Sequence, residues 1–462
     1  MSKKIKALSA FSLTMITVGS VDSLRNLPTT AIFGSQLIAF FLFGALFFLL
    51  PTALVSAELA SGLPREGGIY IWVKRAFGLR MGFLAIWLQW IENVIWYPTL
   101  LSFLAGTFGY IIAPQYAQDP LFLFTTIVVA FGFATIINFF GMRSSAWFSN
   151  FCAVAGLLIP MAAIIILGAL WLLSGNPVPI KFSLNALIPD IHHPELMVSL
   201  TGVMMSLCGI EIATVHAQDV EHPQKTFPRV LLYSVTIILV TMVFGSLAIA
   251  VVIPAQDINL VAGIMQAFSS FLGNYHLEYL MPVVALMIVI GGMGGVSNWI
   301  IAPTKGLMIA SQDGCLPRCF QKTNRFGAPV YLLLLQAILV FIMASLFIFM
   351  PSVSGSYWLL TALAAQLYML MYILMFAAII KLRRDNVLRQ ASFKIPGQTF
   401  GLLLVVAAGI IGCVLTFGVS FMLPSQIDVG DVHRYHVIQI LSLILMATPP
   451  LVIHVFKRRS SQ

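Results

Sequence analysis

Asp22 and Arg25 stand three residues apart within a run from Leu8 to Leu50 that is otherwise apolar enough for lipid. Glu92 and Glu211 are isolated acids of the same kind, set in Gln89-Trp-Ile-Glu-Asn-Val-Ile-Trp-Tyr97 and Ser206-Leu-Cys-Gly-Ile-Glu-Ile-Ala213. A charge at the centre of a membrane helix costs at least roughly 2.5 kcal/mol and marks a functional position by default. The chemistry open to these groups is binding rather than bond breaking. No Walker A run, nucleophile elbow or metal-ligand spacing accompanies them. Asp22 and Arg25 would share a helix face, so they either neutralise each other or leave Arg25 to hold a carboxylate bidentately, as its planar fork suits. Glu92 either pairs with Arg25 or binds an amine, with Trp90, Trp96 and Tyr97 able to flank an ammonium. Glu211 is a candidate proton exchanger, or else a neutral acid hydrogen-bonded to backbone. His216, about a turn and a half further on, is a second titratable group.

The stretch that must position the first pair is Thr17 to Thr30, TVGSVDSLRNLPTT. Gly19, Ser20, Asp22, Ser23, Arg25, Asn26 and Pro28 interrupt the apolar run at what should be bilayer depth. Irregular backbone is tolerated there only where protein buries it or water lines it, so a discontinuous helix around a binding site is expected. Ser206 to Ala213 is the matching anomaly, again a glycine beside an acid.

Composition sets the frame for both. The 462 residues are 60% hydrophobic and 9% charged, with a mean hydropathy of +0.97; a soluble domain is about 25% charged. At about 20 apolar residues per span, the chain reads as an all-α polytopic membrane protein of twelve helices. Their expected extents are about 9–33, 36–62, 81–112, 121–140, 146–173, 196–219, 229–253, 279–304, 330–350, 355–380, 399–423 and 435–456. The net charge of +9 is topological rather than a nucleic-acid face. All but three of the 25 Lys and Arg, the exceptions being Arg25, Lys181 and Arg434, fall at the two ends or in loops on one side. The positive-inside rule puts that side in the cytoplasm. The five cysteines imply no disulfide framework, and Cys315 and Cys319 lack the companions a metal would need. No cleavable leader is expected after Lys3, Lys4 and Lys6. Between helices seven and eight, Leu260, Ile264, Ala267, Phe268 and Phe271 recur at helical spacing, which predicts an amphipathic segment at the outer surface. The interruptions in spans one and six correspond if two five-helix halves repeat, the pattern of inverted-repeat secondary transporters.

Four stretches resemble motifs of the amino acid–polyamine–organocation (APC) superfamily. Pro64-Arg-Glu-Gly-Gly-Ile-Tyr-Ile-Trp72 is similar to its P-x-x-G-G-x-Y-x-W loop, and Ser206 to Ala213 to its helix-six S-F-x-G-x-E-x-A motif. Glu221-His-Pro-Gln-Lys-Thr-Phe-Pro-Arg229 resembles N-P-x-R-x-I-P-R, and Gln312-Asp-Gly-Cys-Leu-Pro317 resembles R-D-G-x-L-P. Ser297-Asn-Trp-Ile-Ile-Ala-Pro303 looks most like the bacterial glutamate/GABA antiporter branch. The resemblance implies one transmembrane transporter domain over 1–462, with repeats at about 9–173 and 196–380 followed by helices at about 399–456. It implies exchange of amino acids, a glutamate-like one against a related or decarboxylated product, with cationic amino acids or polyamines as the alternative.

It further implies that amides near Gly19, Ser20, Val21, Asp22 and Ser23 accept the substrate's α-carboxylate. Backbone carbonyls around Cys208, Gly209 and Ile210 would take its amine, and Glu211 matches a family glutamate linked to conformational change and pH response. The family's usual aromatic before the glycine is Leu207 here, so Trp299 or Tyr368 is expected to gate the site. Helix five contains no Lys or Arg from Ala146 to Leu173, which favours exchange over proton symport. The sequence ends at Lys457-Arg-Arg-Ser-Ser-Gln462, so gating by the folded C-terminal plug of that branch is not expected. The expected partners are small amino acids and the lipid bilayer of the bacterial inner membrane, with no nucleic acid and no cofactor; a monomer and a homodimer are both open.

Overall fold

The computed structural model describes residues 10–63, 67–140, 152, 154–183, 187, 197–213 and 223–453, and among these it is helical throughout with no strand. Its helices are α1 (Ala10–Val21), α2 (Asn26–Ala31), α3 (Leu37–Gly44), α4 (Leu50–Gly62), α5 (Ile69–Phe77), α6 (Leu79–Ile112), α7 (Pro120–Phe139) and α8 (Ile159–Leu173). They continue as α9 (Ser199–Ser206), α10 (Ile210–Ala213), α11 (Pro223–Ala250), α12 (Gly263–Asn274), α13 (Met281–Gln312), α14 (Val330–Ala344), α15 (Val353–Arg384), α16 (Gln398–Val419) and α17 (Val432–Ala447). Ten helices among the described residues are long and apolar enough to cross a membrane. The first and sixth expected spans are missing from that set because each is divided into short pieces.

The first division falls later than the glycine and serines suggested. The helix runs on through Gly19, Ser20 and Val21, with Asp22 N–H still bonded to Val18 O at 2.8 Å, and opens only over Asp22 to Arg25. Pro28 explains the position: its ring excludes the carbonyl of residue 24 and it has no N–H to donate, so a helix cannot run through Leu24. In the first turn of α2 the same proline is harmless. The second division spans Leu207 to Gly209, where Gly209 takes a φ of +106°, a conformation that favours glycine.

Two long helices form the interior. In both α6 and α15, 72% of the most apolar stretch is buried within the protein, against 28% in α7. Phe133 and Leu121 of α7 and Leu445 of α17 are among the apolar side chains left on the outside, which suits a chain solvated by lipid. A π-turn at Val154–Leu158, ahead of α8, packs on α13 so closely that a Cβ on Gly156 would lie 2.1 Å from Gly291 Cα. The segment expected to lie at the outer surface forms α12. Its Ile264, Ala267, Phe268 and Phe271 are fully buried, and Gly263 meets Pro28 of α2.

Candidate functional site

The two breaks meet at a cavity of about 210 Å³. That is room for a small molecule rather than a peptide. Gly19, Val21, Asp22, Ser23 and Arg25 border it from the first break, and Cys208 and Gly209 from the second. Glu92 and Trp96 enter from α6, Trp299 from α13 and Tyr368 from α15. Ile210, also expected there, is fully buried at the start of α10 and does not border the cavity. The Ser20 side chain and the whole of His216 lie outside the described residues. Pro98 in α6 and Pro303 in α13 each leave a carbonyl one turn back without its helical donor, those of Val94 and Trp299.

The charged groups form no direct ion pair with one another. Arg25 forms no ion pair with Asp22 or with Glu92. Its guanidinium instead donates to the Thr99 hydroxyl of α6 and lies 5.4 Å from the centre of the Trp96 ring, while Nε has no partner among the described residues. Its backbone carbonyl accepts from Tyr357 of α15 at 3.2 Å. Asp22 accepts from Thr241 of α11 at 2.8 Å through Oδ2, and Oδ1 is left buried with no partner among the described residues. Glu92 accepts from the Asn93 side-chain amide at 3.1 Å through one oxygen, and its other oxygen likewise has no partner among the described residues. The amides of Leu24 and Arg25 donate to no described backbone carbonyl, whereas those of Asn26 and Leu27 close back onto Ser23 and Leu24.

Glu211 is held differently. Gln89 donates to it at 3.2 Å, Tyr368 at 2.9 Å and Tyr372 at 2.5 Å. Tyr368 is thus a ligand of the carboxylate as well as a wall of the cavity. Trp299 packs against Trp96 with ring centres 5.5 Å apart and planes tilted by 42°, which makes the two indoles one aromatic wall beside Arg25. Thr99, Thr241, Tyr357 and Tyr372 were not legible as site residues. Only Tyr372 carried a signal, standing one helical turn from Tyr368 on the same face.

A buried guanidinium and two buried carboxylates, each with an atom unpartnered, cannot be left so without cost; an unmade hydrogen bond to a buried group costs about 1–3 kcal/mol, more when it is charged. The arrangement suits a small ligand bearing both a carboxylate and an ammonium. A multi-span helical protein built around such a cavity, at the junction of two broken helices, has the architecture of a membrane carrier. Residues 8–444 match the amino acid permease family, and the chain belongs to that family, within the APC superfamily. It is 41% identical over 450 residues to an uncharacterised transporter of Legionella pneumophila, covering 97% of each chain. It is 29% identical over 456 residues to the glutamate/gamma-aminobutyrate antiporter of Lactococcus lactis, covering 97% of this chain and 90% of that one. Identity to a probable agmatine/putrescine antiporter of the same species is 24% over 415 residues, 88% of this chain and 86% of the relative. The chain is a membrane transporter for small molecules and not an enzyme.

Proposed function

We propose that this chain is a secondary amino-acid antiporter that exchanges a glutamate-like amino acid for its decarboxylated product by alternating access. Its twelve spans would form two inverted repeats, about 9–173 and 196–380, followed by two further helices. Both ends would lie in the cytoplasm of a bacterial inner membrane, in keeping with the one-sided Lys and Arg.

The observation that carries this reading is Arg25: buried, bordering the cavity, and, among the described residues, in no ion pair and with no partner at Nε. A side-chain carboxylate would complete its fork, and the free amides of Leu24 and Arg25 offer donors for the α-carboxylate. Glu92 and the carbonyls around Cys208 and Gly209 would take the amine. Glu211, and His216 if it faces the pathway, would couple the site to conformational change. The similarity to a glutamate/gamma-aminobutyrate antiporter supports the same substrate pair.

A second reading is favoured by the unpartnered Glu92 oxygen on the same cavity, which suits an ammonium without demanding a second carboxylate. Cationic amino acids or polyamines are then the substrates, as the similarity to a probable agmatine/putrescine antiporter also suggests. Counterflow in proteoliposomes separates the two. Vesicles loaded with unlabelled glutamate, GABA, glutamine, arginine or putrescine are offered the same compounds labelled. Uptake of glutamate only into glutamate- or GABA-loaded vesicles is expected. Uptake confined to arginine and putrescine would replace the first reading with the second, and uptake without internal substrate would refute exchange.

A further inference from the structure

The first break holds a carboxyl group whose hydrogen bonds do not balance if it is ionised. Asp22 is 5% exposed. Its Oδ2 lies 2.8 Å from the Thr241 hydroxyl, and its Oδ1, also buried, has no partner among the described residues. Thr241 Oγ1 lies equally close, 2.8 Å, to Ile237 O and 3.1 Å from Ile238 O.

With Asp22 as a carboxylate, one hydroxyl hydrogen faces three acceptors. Given to Asp22, it leaves Oδ1 a buried anionic oxygen with no partner among the described residues. Given to the Ile237 carbonyl, it leaves both carboxylate oxygens without that donor. A proton on Oδ2 removes the unpaired charge: Asp22 then donates to Thr241 Oγ1, Thr241 donates to Ile237 O, and Oδ1 is left as a neutral carbonyl oxygen. The place in the fold acts in the same direction. Asp22 follows directly on the last residue of α1, at the carbonyl end of a 12-residue helix, where negative charge is disfavoured. The Ser23 amide, which also approaches the carboxyl group, opposes this.

We propose that Asp22, bonded to Thr241, is a protonation site of the carrier. It is neutral in this conformation, and it ionises by releasing its proton to water in the cavity when the first break rearranges or an ammonium group reaches Oδ1. The other ionisable groups around the cavity are Arg25 on the same break, Glu92 on α6, Cys152 beside the π-turn, Cys208 at the second break and Tyr368 on α15. Glu211 lies behind Tyr368. On α11 the described ionisable groups, Arg229 and Tyr233, are exposed, about two turns and more from Thr241. The charge state of Asp22 does not depend on which substrate is carried; only the claim that its proton accompanies transport rests on the proposed function.

Infrared difference spectroscopy of the full-length protein in lipid, stepped in pH, tests this directly. Wild type should show a protonated-carboxyl band that is absent in Asp22→Asn, shifts in frequency in Thr241→Val, and persists in Glu92→Gln and Glu211→Gln. Thr241→Val keeps the carboxyl group and removes only its partner, so it is decisive even if Asp22→Asn does not fold. A band retained in Asp22→Asn, or unmoved by Thr241→Val, overturns the proposal. Counterflow on the same samples reads the transport function separately: no uptake with the band present would refute the substrate assignment and not the protonation site.

Discussion

Tyr372 Oη donates to Glu211 Oε2 at 2.5 Å and accepts from Gly209 N–H at 3.0 Å, so one hydroxyl ties the irregular backbone of the second break to the carboxylate two residues on. Gly209 adopts a positive φ there, and its amide has no place in either flanking helix. The bond to α15 is what satisfies it.

Tyr372→Phe should therefore cost more than Tyr368→Phe. The first removes a donor from Glu211 and an acceptor from Gly209, and each buried group so deprived costs about 1–3 kcal/mol. The second leaves the Gly209 bond intact. Thermal unfolding of the two variants in detergent checks the order; equal losses would mean that the Gly209 bond contributes nothing.

Further along α15, Arg383 grips Glu58 of α4 bidentately at 2.8 and 2.7 Å, and Ile395 N–H adds a third donor to Glu58 at 2.8 Å. Glu58 is fully buried. Breaking such a pair by removing one charge costs about 3–5 kcal/mol. Arg383→Met alone should lower the unfolding temperature sharply, and Glu58→Gln with Arg383→Met should recover part of the loss. No recovery in the double variant would show that the two side chains are not coupled.

The Asp313 cluster predicts a pH effect. Burial alone would raise the Asp313 carboxyl, but bonds from Lys74, at 2.6 Å, and Tyr70 outweigh it and hold the group below its ordinary value of 3.8. A lowered acid stabilises the fold above its unfolded value, and that contribution fades as pH falls through the folded one. At 35% exposure the pair is worth at most about 1 kcal/mol. Asp313→Asn should cost little at neutral pH and should shrink the fall in unfolding temperature below about pH 4. An acid limb identical to wild type would contradict this.

Gly156→Ala tests the wall of the cavity. The added Cβ would meet Gly291 at 2.1 Å from Cα and 2.8 Å from N, both backbone atoms that cannot turn aside. Loss of at least about 1–3 kcal/mol of stability is expected. Gly295→Ala, with nothing within 4 Å of its Cβ, serves as the control that should be tolerated.

Much of this arrangement is legible in the order of residues. Polar and helix-breaking side chains at membrane depth mark both breaks, and helical spacing marks α12. The boundary of the first break was misplaced because a glycine within a packed helix is a weak interruption of about 1 kcal/mol, whereas Pro28 is a strong one that acts four residues upstream. Partners were the least legible. Arg25 meets Thr99 across 74 residues, Asp22 meets Thr241 across 219 and Glu58 meets Arg383 across 325. No local pattern encodes such meetings. Charge balance alone therefore left an Asp22–Arg25 pair open, where the fold gives each a threonine.

The central claim is that Arg25 holds the side-chain carboxylate of the substrate. Concentrations that half-saturate or half-inhibit counterflow, measured for glutamate, GABA and glutamine in wild type and Arg25→Lys, address it most directly. Lysine keeps the charge but loses the fork, so the glutamate and GABA values should both rise about tenfold, or roughly 1.4 kcal/mol, because GABA keeps the side-chain carboxylate, while the value for glutamine, which lacks it, stays within about twofold. Unchanged glutamate affinity in a folded Arg25→Lys protein, or an equal rise for glutamine, would contradict the claim.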